Sequence, residues 1–174
     1  PSSPIRHMTE LKAELDRLGP TKPVMVLYTD GGPDHRLTHL SVQLSLLSLF
    51  VSLDLDFICA VRTPPKRSWK NPVERIMSIL NIALQGVGCM REEVAHEDQL
   101  KNCSSLKSIR DLATRIPELK DEMIRSTQPC RELLSSMIER LKLKDTYFET
   151  CEAATDTEIA DLWDEVLKVK YISV

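Results

Sequence analysis

Residues 23–35, PVMVLYTDGGPDH, and residues 68–87, SWKNPVERIMSILNIALQGV, bracket the stretch whose reading decides the fold. Val24 to Tyr28 is an almost unbroken apolar run. It predicts a strand covered on both faces, inside a helix-flanked and mostly parallel sheet. Thr29-Asp30 closes the strand, Gly31-Gly32 frees the backbone to turn, and Pro33 suits the first turn of a helix. From Asp34 to Leu53 the chain is apolar nearly all round, which predicts a helix buried on most sides. His35, His39 and Gln43 repeat at i, i+4 and make one narrow polar stripe on it. Two histidines at that spacing can bind a metal; a solvated edge is the simpler reading. Asp54-Leu55-Asp56 is a turn and Phe57 to Val61 a second short buried strand. Two strands joined by one helix make a right-handed parallel crossover. Thr63-Pro64-Pro65 stops the second strand.

Working outward, Asn71-Pro72 opens the next helix as N-cap and first helical residue. Its apolar stripe is Val73, Ile76, Met77, Leu80, Leu84 and Val87, which leaves Glu74 in the first turn and off the main core. Upstream, Thr9 to Leu18 reads as an amphipathic helix with Thr9 as N-cap, ended by Gly19-Pro20, and Pro1 to Pro4 as a disordered leader. Asp16 lies among charged neighbours and belongs to the surface. Downstream of Gly86-Val87-Gly88 the character changes. Glu92 to Ala113, Pro117 to Ser126, Pro129 to Lys144 and Thr155 to Lys168 all read as amphipathic helices, with Pro117 and Pro129 as punctuation. The expected organisation is α/β: a core of two parallel strands with flanking helices over residues 1–90, then an all-α accessory module over residues 91–174.

The chain has 174 residues and 42% hydrophobic content, enough for one domain with an appended module. No apolar run reaches the length of a membrane span and no signal-peptide pattern opens the chain. It begins at Pro1 rather than Met, and a fragment or trimmed form is expected. Five widely spaced cysteines, Cys59, Cys89, Cys103, Cys130 and Cys151, without a C-x-x-C pair, argue against a disulfide framework or zinc site and for an intracellular reducing compartment. The net charge of −3 is unevenly spread, because the first ninety residues carry 10 Lys/Arg against 8 Asp/Glu. Arg62, Lys66, Arg67, Lys70 and Arg75 fall close together, opposed only by Glu74. A basic loop of this kind meets a polyanion, or is simply solvated. Trp69 within it either stacks on a base or sugar or packs down as a loop anchor.

The residues that carry chemistry are Asp30 and Glu74. Asp30 ends a strand, where open α/β sheets present functional groups. Glu74 begins a helix two elements later. Two neighbouring acids repel unless a cation lies between them, and hard oxygen ligands suit Mg²⁺ or Mn²⁺. Each also has an ordinary explanation: Asp before Gly-Gly forms turns, and Glu complements a helix N-terminus. A phosphate at the Gly31-Gly32 turn is a weaker third reading, since Asp30 and Asp34 would repel it.

Thr29-Asp30-Gly31-Gly32-Pro33-Asp34 resembles the second-acid motif of the integrase and transposase superfamily, whose catalytic core is ribonuclease-H-like. Asn71-Pro72-Val73-Glu74-Arg75 followed by Leu80-Asn81 resembles its third-acid motif, the Asn-Pro-x-Glu form common in cut-and-paste transposases. The separation of 44 positions lies within the range of such enzymes. The resemblance covers Leu11 to about Met90.

It implies the C-terminal part of a DDE-type core, an incomplete ribonuclease-H-like fold that has been cut from a longer chain or domesticated. It further implies Asp30 and Glu74 as catalytic metal ligands for DNA strand transfer, with two Mg²⁺ or Mn²⁺ ions held only in a complete core. Lys66, Arg67, Trp69, Lys70 and Arg75 would lie along the DNA backbone, in the nucleus, and no membrane is involved. The first Asp of such a core, on an initial three-strand hairpin, has no counterpart here, since Asp16 lies on a helix. The chain alone is therefore expected not to cleave DNA. The alternative is a non-catalytic, transposon-derived scaffold that binds DNA or a protein, with the helical tail serving a partner or self-association.

Overall fold

The structure is a computed structural model that describes residues 2–20, 22–64 and 67–168. The protein is mixed α/β. Among the described residues it has seven α-helices, a two-stranded parallel sheet and a small antiparallel hairpin. The chain forms two compact units, Pro1–Arg75 with Cys151–Val174, and Ile76–Thr150. That division differs from the expected boundary after residue 90, because the C-terminal helix belongs with the N-terminal unit.

In the first unit α1 spans Pro4–Leu18, five residues longer at its start than the sequence predicts. Ser3 is the N-cap, its hydroxyl accepting the N–H of Arg6 at 3.4 Å, and Pro4 occupies the first helical position. The leader reading of the first four residues is thus overturned for Ser3 and Pro4. Thr9, expected as the cap, is buried inside the helix. Its hydroxyl returns to the Ile5 carbonyl at 2.9 Å, a bond that satisfies a buried hydroxyl as well as a cap would. Asp16 is on the surface, paired with Lys12 at 2.6 Å.

Strand β1 is Val24–Thr29 and β2 is Phe57–Arg62, paired parallel in the register Val24↔Phe57 through Thr29↔Arg62. The pairing extends past both ends: Phe57 N–H donates to the Pro23 carbonyl at 3.2 Å and Thr63 N–H to the Thr29 carbonyl at 2.8 Å. The predicted burial on both faces is corrected. Met25 and Leu27 face the core, while Val24, Val26 and Tyr28 are 56%, 64% and 41% exposed. With two strands, only the face under the helices is covered, and the apolar run gains no second layer within this unit.

The helix expected from Asp34 begins later. Pro33–His35 is a single 3-10 turn, and α2 spans Leu40–Ser52. His35 therefore lies off the helix. His39 stands at its N-terminal boundary without a side-chain cap, and Gln43 reaches back to the Leu37 carbonyl at 2.9 Å. The expected His35/His39/Gln43 stripe does not exist. α2 is buried on one side only, with Val42 and Leu49 inside and Leu40 and Leu47 exposed. Ser45 and Ser48 are buried beside Leu49, and each donates to the carbonyl four residues back, at 2.7 and 3.0 Å. The chain then turns at Asp54, whose φ is +49°, into β2.

α3, Val73–Ala83, follows the basic loop, and none of its residues is buried. Its predicted stripe breaks off early, because the helix ends at Ala83 and residues 84–86 turn. α7, Asp156–Lys168, closes the first unit. Thr155 and Glu158 form a reciprocal cap at its start, with Glu158 N–H on the Thr155 hydroxyl at 3.2 Å and Thr155 N–H on the Glu158 carboxylate at 2.7 Å. Leu162 joins Ile5, Met8 and Leu49 in one core, with Met25, Leu27 and Ile58 of the sheet packed against it. Arg6 holds the approach to α7 by donating to the Ala154 carbonyl at 2.5 Å.

The second unit departs further from expectation. The single helix predicted over 92–113 is two, α4 Glu97–Lys101 and α5 Leu106–Arg115. Ser105 breaks them with a capping box to Ser108. The two helices predicted around Pro129 are one, α6 Leu119–Ile138, with Pro129 inside it. A hairpin pairs β3 Lys142–Leu143, in sequence read as helix, with β4 Thr146–Tyr147, and Lys144 at φ +55° makes its turn. Leu100, Leu112 and Leu119 form the unit's own core. No helix among the described residues is long and apolar enough to cross a membrane.

Candidate functional site

Parallel pairing in register places the C-terminal ends of β1 and β2 side by side, so the turn after Thr29 and the loop after Arg62 leave from the same edge. The turn is built on Asp30. Its carboxylate accepts the Gly32 N–H at 2.9 Å, an Asx-type turn that fixes the first bend. Gly31 takes φ +76°, and the stem of Arg62 lies so close that a Cβ on this glycine would fall 2.0 Å from Arg62 Cδ. The backbone angle favours glycine there, and a Cβ would have to push the exposed Arg62 stem aside. Thr63 is buried and seals the same edge, its hydroxyl on the Thr29 carbonyl at 3.0 Å.

Beside the turn the fold assembles groups that the sequence reading left apart. Asp34 meets His7 of α1, with Nε2 3.5 Å from its carboxylate, and accepts a hydrogen bond from the Ser2 hydroxyl. The Ser2 hydroxyl above all, with His7 and His35 adding to it, holds the Asp34 carboxyl below its ordinary value against the desolvation that opposes ionisation. His7 in turn approaches Glu10 at 3.6 Å and lies 5.3 Å from the ring of His35. Asp34 is thus a partner for histidines. His7 gave no signal in the sequence, because the helix reads only from Thr9 and leaves His7 outside it, whereas α1 starts at Pro4.

Glu74 lies in the first turn of α3, as read from the sequence, and is half-buried. Asn71 is buried and caps the helix, its side-chain oxygen accepting the Val73 N–H at 3.3 Å and its carbonyl the Glu74 N–H at 3.0 Å. The expected metal ligands Asp30 and Glu74 offer hard carboxylate oxygens, the right chemistry for Mg²⁺. Among the described residues, however, no group of three or more His, Cys, Asp or Glu side chains is placed to hold a metal ion. The donor set fits in kind and falls short in number.

Of the expected DNA contacts, Arg67, Lys70 and Arg75 are exposed. Lys66 lies outside the described residues. Trp69 does not pack down as a loop anchor: it is 72% exposed, and the Lys70 ammonium lies 5.3 Å from its ring centroid. A short 3-10 turn over Ser68–Lys70 presents this pair. The loop therefore offers an open Trp69 ring with a cation over it. No protein-family model matches this chain, and neither a curated protein nor a solved structure does.

Proposed function

We propose that the edge carrying Asp30, Arg62, Trp69 and Lys70 is a polynucleotide-binding surface. On this reading the chain is the C-terminal part of a DDE-type transposase or integrase core of ribonuclease-H-like fold, acting on DNA in the nucleus. The observation that carries it is the exposed Trp69 beside Lys70, on a loop that leaves the sheet at the same end as Asp30. An aromatic face left in water costs hydration free energy, and a base stacked on it recovers that cost while neighbouring cations hold the phosphates. The order of strand, Asp30 turn, helix, parallel strand, basic loop and capped helix with Glu74 agrees with the resemblance. Asp30 and Glu74 then supply two carboxylates of a three-carboxylate centre. Magnesium or manganese bound there would activate an oxygen nucleophile for attack on phosphate. With two acids alone the chain binds DNA without cutting it.

The test is Mn²⁺ titration of the wild type, Asp30→Asn and Glu74→Gln, followed by calorimetry. Asn at position 30 keeps the acceptor that the Gly32 N–H needs, so the turn survives the change. Weaker Mn²⁺ binding by both variants supports a shared metal site, and equal binding by all three removes it. A second reading, a non-catalytic transposon-derived scaffold, is favoured by one fact: the Asp30 carboxylate already has a structural task in its own turn. DNA binding that is indifferent to Mn²⁺ and to both substitutions selects that reading.

A further inference from the structure

In the unit Ile76–Thr150, the segment between the end of α3 and the start of α4 runs against α6. Glu92 donates its N–H to the carbonyl of Ser126 at 2.9 Å, and Ser126 is buried at that contact. Cys130 lies four residues further along α6, on the same face and one turn on. Cys89 lies three residues before Glu92, which an extended chain covers within about 11 Å. The two side chains are neighbours there, near enough that Cys89 raises the Cys130 thiol. Both cysteines are free, with Cys89 exposed and Cys130 half-buried.

We propose that Cys89 and Cys130 are a site of reversible oxidation, closing to a disulfide that fastens the 87–94 segment to α6 when the protein meets a peroxide. The placement makes the bond local, since the Glu92–Ser126 bond already holds the two cysteine-bearing segments together. Cys89, the accessible member, is attacked first. Its thiolate takes an oxygen from the peroxide, giving a sulfenic acid and, for hydrogen peroxide, one water. Cys130 then attacks the sulfenic sulfur. The S–S bond forms as the S–O bond breaks, and the Cys130 proton leaves with the hydroxyl as a second water. Two thiols have lost two electrons and the peroxide has gained them. A dithiol reductant reverses the step by exchange.

The surroundings agree with this division of labour. Burial, the adjacent Cys89 and the Glu92 carboxylate push the Cys130 thiol up, so it waits as the resolving partner rather than as the first nucleophile. The other cysteines are placed differently. Cys103 donates to the Gln99 carbonyl inside its own turn, and Cys151 to the Glu14 carboxylate at 3.0 Å.

The inference stands apart from the DNA-binding reading and is tested on the full chain. The reduced protein is exposed to a modest excess of hydrogen peroxide, blocked with an alkylating agent and digested without reductant. The expected product is a cross-linked peptide pair joining Cys89 to Cys130, with a melting temperature raised by several degrees and restored by dithiothreitol. Cys89→Ser, an exposed substitution that leaves the helix intact, removes both the cross-link and the shift, and Cys151→Ser changes neither. Sulfinic acid at Cys89 without a cross-link, a disulfide to another cysteine, or oxidation that leaves both thiols alkylatable would each overturn it.

Discussion

Arg62 lies across Gly31 so closely that any side chain at position 31 would occupy the space of its Cγ and Cδ, 2.3 and 2.0 Å from a Cβ. This contact joins the end of β2 to the turn that follows β1, and with the left-handed backbone it favours glycine at position 31.

Gly31→Ala meets two obstacles, the left-handed φ of +76° and the Arg62 stem. The backbone cost alone is about 1–2 kcal/mol. Adding Arg62→Ala should relieve the steric part and leave the backbone part. Urea denaturation of the single and double variants separates the two; full recovery in the double variant would show that backbone strain is absent.

Asn71 caps α3 from a buried position. Asn71→Ala should cost about 0.5–2 kcal/mol, while Asn71→Asp, which keeps the acceptor, should cost less. Denaturation midpoints for the three proteins check the ranking.

Leu49 is fully buried, and Leu162 of α7 is nearly so in the same cluster. Leu49→Ala and Leu162→Ala should each destabilise by about 2–5 kcal/mol. A small effect at Leu162 in denaturant titrations would mean that α7 contributes little to the first unit.

Trp69 and Lys70 carry the proposed nucleic-acid contact. Lys70→Ala should weaken DNA binding uniformly across sequences and reduce the salt slope by about 1. Trp69→Ala should cost about 1–3 kcal/mol on single strands, with a smaller effect on duplex. Fluorescence anisotropy at several salt concentrations reads both, and unchanged binding by both variants would remove this face from the interface.

Arg91 grips Glu97 with two hydrogen bonds of 2.8 Å. That pairing, aided by the Val94 N–H, holds the Glu97 carboxyl below its ordinary 4.5. A carboxylate with a lowered folded pKa contributes stability that is complete above the unfolded value and is lost as pH falls through the folded one. The stability of the 76–150 unit should therefore decline below pH 4.5, and Glu97→Gln should flatten that decline. Denaturant titrations along the acid limb measure the difference.

The parallel pair, the long connecting helix and the capped start of α3 were all legible in the chain, because each rests on local chemistry. The apolar runs 24–28 and 57–61, the Asp-Gly-Gly turn and Asn71-Pro72 state their conformations within a few residues. The second unit was harder to read. Pro129 signals a break, yet α6 runs through it, and Lys142–Lys144 reads as the end of a helix yet forms the first strand and turn of a hairpin. Propensity there is weak and tertiary context overrides it.

Asp30, Glu74 and the basic loop were named from sequence order alone, and order places the Asp30 turn and the loop after Arg62 at one sheet edge once the strands pair in parallel. Several features are properties of packing: the meeting of His7 with Asp34 and His35, the exposure of Trp69, the nearness of Cys89 to Cys130 and the return of α7 to the first core. Each joins positions that no local pattern links. Periodicity reports which face of an element is apolar, but not which distant element, if any, comes to cover it. The open face of β1, apolar in sequence and bare in the fold, follows from that limit.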